Sequence, residues 1–310
     1  MNDMPYFDAH CDTVSRCAHM GRALRENEGQ LDLLRLSRFR KAAQVFAIFH
    51  DAAKAPRDGM FAECRRQKAV FDRELEKNVD LASPCRGAEE VRRANAGGRI
   101  AALLSCEGAD LLDCDPDRLD WAAEAGVRLV NLTWNRANAL CGSHLEEPER
   151  GLSDRGRAFI RRAQELDIRI DVSHCSDAAF WELVDITQAP IVASHSNARA
   201  LCAHSRNLTD SMFRAIVETG GYVGVNLYAD FVSEGEADMD TLVRHVEHFL
   251  DLGGEKCLGL GGDLDGCDRL AGGLRGVEDL PSLWEALRRR GYGKPLLEDL
   301  FYNNLLRVLS

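Results

Sequence analysis

The sequence predicts an α/β fold of the (β/α)8 TIM-barrel type, and three observations carry that expectation. Short apolar, β-branched runs recur along the chain, helix-period segments lie between most of them, and polar residues collect where the runs end. The runs cover residues 6–9, 44–49, 100–105, 127–133, 168–173, 190–194, 222–227 and 257–261. Runs buried on both faces and alternating with helices indicate a parallel sheet covered by helices. Eight such units in one chain fit a barrel, which carries its functional residues at the C-terminal ends of the strands.

Taken in order, the first run ends in Asp8-Ala9-His10-Cys11-Asp12. The basic cluster Arg35, Arg38, Arg40 and Lys41 precedes the second run and reads as a solvated helix face. Residues 60–79 then place Phe61, Cys64, Ala69, Val70 and Leu75 on one side of a helix. The third run ends in Ser105-Cys106-Glu107-Gly108, and the fourth leads into Leu132-Thr133-Trp134-Asn135. A helix over 154–166 starts from Ser153, and one over 177–186 starts from Ser176, both good N-caps. Between and around them the fifth run ends in Asp171-Val172-Ser173-His174 and the sixth in Ser194-His195-Ser196. Helices follow over 209–219 and 239–252, the latter closed by Gly253 and Gly254. The seventh run ends in Asn226-Leu227-Tyr228, and the eighth leads to Gly262-Asp263-Leu264-Asp265-Gly266.

A length of 310 residues leaves one or two domains open, and the eight runs favour a single barrel domain over 1–310. The surplus over the ~250 residues typical of this fold falls in long βα loops. The stretches 142–151 and 265–276 are expected to roof the site. A net charge of −11 argues against nucleic-acid partners. No apolar run nears the ~18–20 residues that span a bilayer, and the start lacks a secretory pattern. A cytoplasmic protein without membrane attachment is expected. The 11 cysteines are an odd number with no CxxC pair, and so read as reduced, buried thiols.

His10 and Asp12 stand two apart, so on an extended strand both face one way and can bite one metal ion. His174 and His195 come from adjacent strands and can hold a second. Glu107 ends an apolar strand, where a lone carboxylate is costly unless cations compensate it, as in a bridge between two metals. Two His, an HxD pair and a bridging Glu suit Zn²⁺ or a similar divalent ion. A metal pair polarises a carbonyl and activates a shared water, whose proton Asp263 can accept and pass to a leaving amine. His50 follows the second run at another strand end and reads as a satisfied structural residue, with contact to the site as the alternative; His19, His204, His245 and His248 read as ordinary helix or loop residues. Cys11, Cys106 and Cys175 neighbour proposed ligands in sequence and should therefore face the helices instead.

These motifs resemble the membrane (renal) dipeptidases, zinc dipeptidases of the amidohydrolase superfamily. The likeness covers nearly the whole chain. It also takes in Gly151-Leu152-Ser153-Asp154-Arg155-Gly156, Ser194-His195-Ser196-Asn197-Ala198-Arg199, Ser205-Arg206-Asn207 and Asn304-Leu305-Leu306-Arg307-Val308. The resemblance implies a (β/α)8 barrel with two zinc ions per chain. His10 and Asp12 would bind one, His174 and His195 the other, and Glu107 would bridge. It further implies a metal-bridging hydroxide held by Asp263 as acid/base. Arg206 would pair with the substrate's carboxylate, which suits the bidentate guanidinium. Tyr228 falls near substrate-lining aromatic positions, and a homodimer is suggested. One departure matters: best-known members carry a carbonyl-contacting histidine where this chain has Trp134. Indole donates through its N–H but can neither accept nor relay a proton. Asn135, Asn138 or His144 are the candidates to replace that contact.

The leading expectation is thus hydrolysis of small dipeptides. Deacylation of N-acyl amino acids or opening of cyclic amides is the alternative that Trp134 raises. A non-catalytic ligand-binding barrel is the third, weakened by the retention of every metal ligand and of Asp263.

Overall fold

Eight parallel strands close into a ring in the structure, a computed structural model that describes residues 2–310. In chain order the strands are β1 (Asn2–Cys11), β2 (Phe39–Phe49), β3 (Ala82–Pro84), β4 (Ile100–Glu107), β5 (Val127–Asn131), β6 (Arg169–Asp171), β7 (Val192–Ala193), β8 (Tyr222–Val225) and β9 (Leu258–Leu260). The ring passes from β1 through β2 to β4, then through β5 to β9, and closes where Asp8 pairs with Leu260. Every expected run overlaps one ring strand. β3 was not expected. It is three residues long and ends in proline, too short for a pattern to register. It pairs with Ile100–Ala102 of β4, and β5 takes over that edge from Leu104 onward.

The strands are buried on both faces, and alternate residues enter different apolar clusters. Phe46 and Ile48 of β2 join Leu104 and Cys106 of β4 in the larger cluster, with Cys64 and Phe71 from the helix Met60–Lys77. Ala43 and Val45 join Ala101 and Leu103 in the smaller one, with Phe7, Val192, Tyr302 and Leu305. This period-2 split is why the runs read as continuously apolar rather than alternating.

Helices 154–166, 177–186, 209–219 and 239–252 form as Asp154–Glu165, Asp177–Ile186, Asp210–Glu218 and Met239–Asp251. Ser153, Ser176 and Thr209 each accept a backbone N–H of the first turn, as N-caps do. Helix Met60–Lys77 departs from its expected face. Ala69 is exposed, and Glu63, Gln67 and Glu74 are buried on the inner stripe. Each of these polar groups has a partner: Gln67 donates to the Phe49 carbonyl at 2.7 Å, and Glu74 accepts the Leu24 N–H at 2.9 Å.

The basic cluster is not a solvated helix face. Only Arg35 lies on a helix, the four-residue Leu33–Leu36, where it pairs with Asp32 at 2.8 Å and Glu278 at 3.0 Å. Arg40 and Lys41 belong to β2; Arg40 pairs with Glu298 at 2.7 Å and Lys41 covers the Tyr302 ring at 3.6 Å. The loops expected to roof the site supply only part of it, through His144, Leu145, Asp265 and Gly266. Arg16 and His19 from helix Thr13–Met20, Phe49 from the end of β2 and Phe231 from the short helix Ala229–Val232 add to the lining.

The closing Asn304–Val308 helix secures the far end of the barrel. Asn304 donates to the Leu258 carbonyl at 2.7 Å and the Glu255 carbonyl at 2.9 Å. Arg307 reaches the carbonyls of Gly220, Gly221 and Lys256. Polar groups at the N-terminal ends of barrel strands serve stability, and this motif is of that kind.

Candidate metal centre

All five expected ligands converge at the C-terminal ends of the ring strands. His10 is the penultimate residue of β1 and Asp12 lies just beyond it, Glu107 ends β4, His174 follows β6 and His195 follows β7. Glu107 divides the group. Its Oε2 lies 3.6 Å from His10 Nε2, while its Oε1 lies 3.0 Å from His174 Nε2 and 3.6 Å from His195 Nε2. His10 Nε2 is also 3.5 Å from Asp12 Oδ2 and 3.9 Å from Asp263 Oδ1, and the two following histidines stand 3.1 Å apart at Nε2. Ligand atoms on one tetrahedral zinc with bonds of ~2.0–2.1 Å are separated by about 3.3 Å. Two neighbouring groups of this spacing therefore meet on one carboxylate. His10 Nε2 and Asp12 Oδ1 are buried without a hydrogen-bond partner, which is costly for polar atoms unless a cation takes them.

Neighbouring groups fix how the ligands point. His174 Nδ1 bonds Asn135 Oδ1 at 2.8 Å and His195 Nδ1 bonds Ser194 Oγ at 2.6 Å, so each Nε2 faces inward. Asp8 ties the first strand end to the last: its Oδ1 accepts the His10 N–H and its Oδ2 the Gly262 N–H. Asn226 donates to Asp263 Oδ2 at 3.0 Å. Asp12 owes its position less to strand alternation than to a break in register after Asp8 and to its place before helix Thr13–Met20. His174 (φ 76°) and Asp263 (φ 55°) both hold left-handed backbone, a strain that clusters at functional sites. A side chain at Gly266 would collide with the carboxylates of Asp263 and Asp12.

The electrostatics call for added positive charge. Burial pushes the Glu107 carboxyl well up, and Asp12 and Asp263 push the same way against His10. Burial opposes the His10 imidazolium, yet Glu107, Asp12 and Asp263 outweigh it and raise its pKa to about 10. Burial, with Arg206 nearby, drives His174 and His195 well below the usual range, which leaves neutral imidazoles ready to ligate. Burial also raises Asp263.

A cavity of about 470 Å³ opens over this centre. Trp134 and Tyr228 line it; the Trp134 ring packs 4.8 Å from Phe49 and 6.2 Å from His174, and Tyr228 Oη donates to Asp230 at 3.0 Å. Arg206 is buried and lines an adjoining space that shares His144 and His174 with the main cavity. It donates to Ser196 Oγ at 3.3 Å and the His195 carbonyl at 3.1 Å, and its Nε has no partner. Asn138 is committed to Asp110 and the Leu132 carbonyl. His144 bonds Ser205 and Asn135, and burial lowers its pKa to about 3.

Asp265 forms the loop, as its position beside Asp263 suggests, accepting from Thr13 Oγ1 at 2.6 Å and the Gln30 N–H at 2.8 Å. His245 and His248 are satisfied by Val232 and Asp210, but His19 and His204 line the cavity. All eleven cysteines are buried and free; Cys106 meets Cys64 of helix Met60–Lys77 at 4.0 Å. Sequence reasoning missed Asp8 and the role of Asn226. The only sign of either was a polar residue at the end of an apolar run.

A (β/α)8 barrel whose strand ends bring histidines and carboxylates to one buried cluster is built as a metal-dependent hydrolase. The family model of the membrane dipeptidases (peptidase family M19) matches residues 1–310, and the chain belongs to that family of metallopeptidases acting on dipeptides. It is 35% identical over 256 residues to an uncharacterized protein in the pqqA 5′ region of Klebsiella pneumoniae, covering 79% of this chain and 94% of that one. It is 31% identical over 294 residues to the dipeptidase aclJ of Aspergillus oryzae, covering 91% and 70%. A metallo peptidase of Rhodobacter sphaeroides, solved with a phosphinate mimic of the dipeptide L-Ala-D-Ala, superposes with a TM-score of 0.89. That pair is 28% identical, with 99% of each chain covered.

Proposed function

We propose that this dipeptidase is a binuclear zinc enzyme that cleaves the single peptide bond of small dipeptides. The observation that carries the reading is the division at Glu107, whose two oxygens face separate groups of ligand atoms. His10 and Asp12 would hold one zinc and His174 and His195 the other, with the Glu107 carboxylate shared between them. Such ions would supply Lewis-acid polarisation of the scissile carbonyl and would lower the pKa of water into the neutral range.

The chain's own residues do the rest. Asp263 accepts the proton of the attacking water on one oxygen while Asn226 holds the other, then returns it to the leaving amine. Arg206, with its Nε unpartnered, receives the substrate's carboxylate. Trp134 and Tyr228 wall the cavity and pack the dipeptide's side chains. Asn135 has its Oδ1 engaged by His174 and His144, which leaves its NH₂ as a donor toward the scissile carbonyl in place of the histidine at Trp134. A cavity of about 470 Å³ suits a ligand of dipeptide size, and the Rhodobacter relative was solved with a mimic of one.

The test is a substrate panel on zinc-loaded protein: dipeptides with L or D second residues against N-acyl amino acids. Dipeptides should be hydrolysed in preference. Asp263→Asn should cut kcat by about 10²–10⁴-fold with metal content unchanged. Preference for N-acyl amino acids would move the reading to the related amidohydrolase reaction.

A further inference from the structure

Outside the central cluster, three side chains from three elements meet at the cavity mouth. His19 comes from helix Thr13–Met20, His50 from the residue after β2, and Glu63 from helix Met60–Lys77. His19 Nε2 lies 3.3 Å from both His50 Nδ1 and Glu63 Oε1, and His50 Nδ1 lies 3.9 Å from Glu63 Oε1. These spacings approach the ~3.3 Å edge of a tetrahedral zinc site with N and O ligands.

The surrounding bonds point the lone pairs inward. His50 Nε2 stands 2.9 Å from the Lys54 carbonyl, an acceptor that fixes the proton on that nitrogen and frees Nδ1 for the cluster. Gln67 spends its two amide protons on the Phe49 carbonyl at 2.7 Å and on Glu63 Oε1 at 2.9 Å. It therefore has none for His19 Nε2, 3.4 Å away. Arg66 takes the other oxygen of Glu63, at 2.9 Å from its Nε, and so orients the carboxylate. His19 is open to solvent, its side chain 43% exposed, which gives an ion a way in.

We propose that His19, His50 and Glu63 form a third metal site, for a zinc-class divalent ion, at the rim of the substrate cavity. Three protein ligands leave a coordination position open to solvent or to a substrate donor. Because Arg66 shares the Glu63 carboxylate, the site binds more weakly than the central pair. His19 lines the cavity, so an ion here adds positive charge on the path that a dipeptide's carboxylate takes.

The experiment titrates Zn²⁺ into protein with its central sites filled, counts bound metal by equilibrium dialysis and elemental analysis, and repeats with Co²⁺ read by its visible spectrum. Wild type should bind one equivalent more than His19→Ala and His50→Ala, each weakening the rim site by about 100-fold or more. His195→Ala should retain the rim equivalent and lose it when His50→Ala is added. Equal counts in wild type and both rim variants would overturn the proposal and leave the cluster a hydrogen-bonded group. The comparison is a difference between variants, so failure of the dipeptidase reading, seen as absent turnover, is a separate result.

Discussion

Asp263 keeps one oxygen toward His10 and the other on Asn226 Nδ2, 3.0 Å away. Burial raises its pKa, and the Asn226 bond opposes that rise by favouring the charged form. Removing the bond with Asn226→Ala therefore raises the pKa further. The carboxylate form that the proposed mechanism requires then appears only at higher pH. A hydrogen bond to a charged group is worth about 1.5–3 kcal/mol, and one pH unit is about 1.4 kcal/mol. The acidic limb of the kcat/KM profile should therefore move up by roughly one to two units. A residue that merely packed would lower activity or stability and leave that limb in place. Asn226 was visible in the sequence only as the end of an apolar run. Its partner lies 37 residues away, and nothing local announces the bond.

Among the elements, the strands and capped helices were legible because their signals are local. The ring strands β6 and β7 are only three and two residues long, shorter than the runs that predict them. The chain leaves the ladder early there, so that Ser173-His174 and Ser194-His195 can turn into the site. The burial of Glu63, Gln67 and Glu74 could not be read from helical period. Hydrophobicity assigns such residues outward, and only the partners across the interface reverse it. Ser176 links an element to the site: its Oγ accepts the Ala179 N–H at 3.0 Å and donates to the Arg150 carbonyl at 2.7 Å, two residues after His174. Ser176→Ala should cost about 1 kcal/mol through the lost cap, since the Arg150 carbonyl keeps the Gly142 N–H at 3.2 Å. Thermal denaturation of the metal-loaded protein checks this, with a midpoint lower by a few degrees expected and an unchanged one arguing against it.

For the whole molecule, the candidate metal centre is a place where burial gathers like charges. Glu107, Asp12 and Asp263 bring buried carboxylates to one place, and His10 alone does not balance them. A ligand present at a thousand times its Kd stabilises the folded state by about 4 kcal/mol. Stripping the metal with a chelator should therefore lower the melting midpoint by several degrees, and added zinc should restore it. An unchanged midpoint would argue against a structural contribution from the ions. Closure itself rests on long-range contacts: β1 meets β9 through the single pair Asp8 and Leu260, and Asp8 also holds Gly262 across 254 residues.

The sequence by itself determined the barrel class, the order of its strands and the residue types at their C-terminal ends. Those depend on local periodicity, capping and composition, which a linear chain displays directly. The tertiary structure alone decided that Glu107 turns one oxygen to His10 and the other to His174 and His195, and that Asp8 and Asn226 bond the residues around them. It likewise decided that His19 and His50, unremarkable in the sequence, meet Glu63. These are contacts between groups brought together only when the ring closes, and their distances depend on register, twist and backbone conformation.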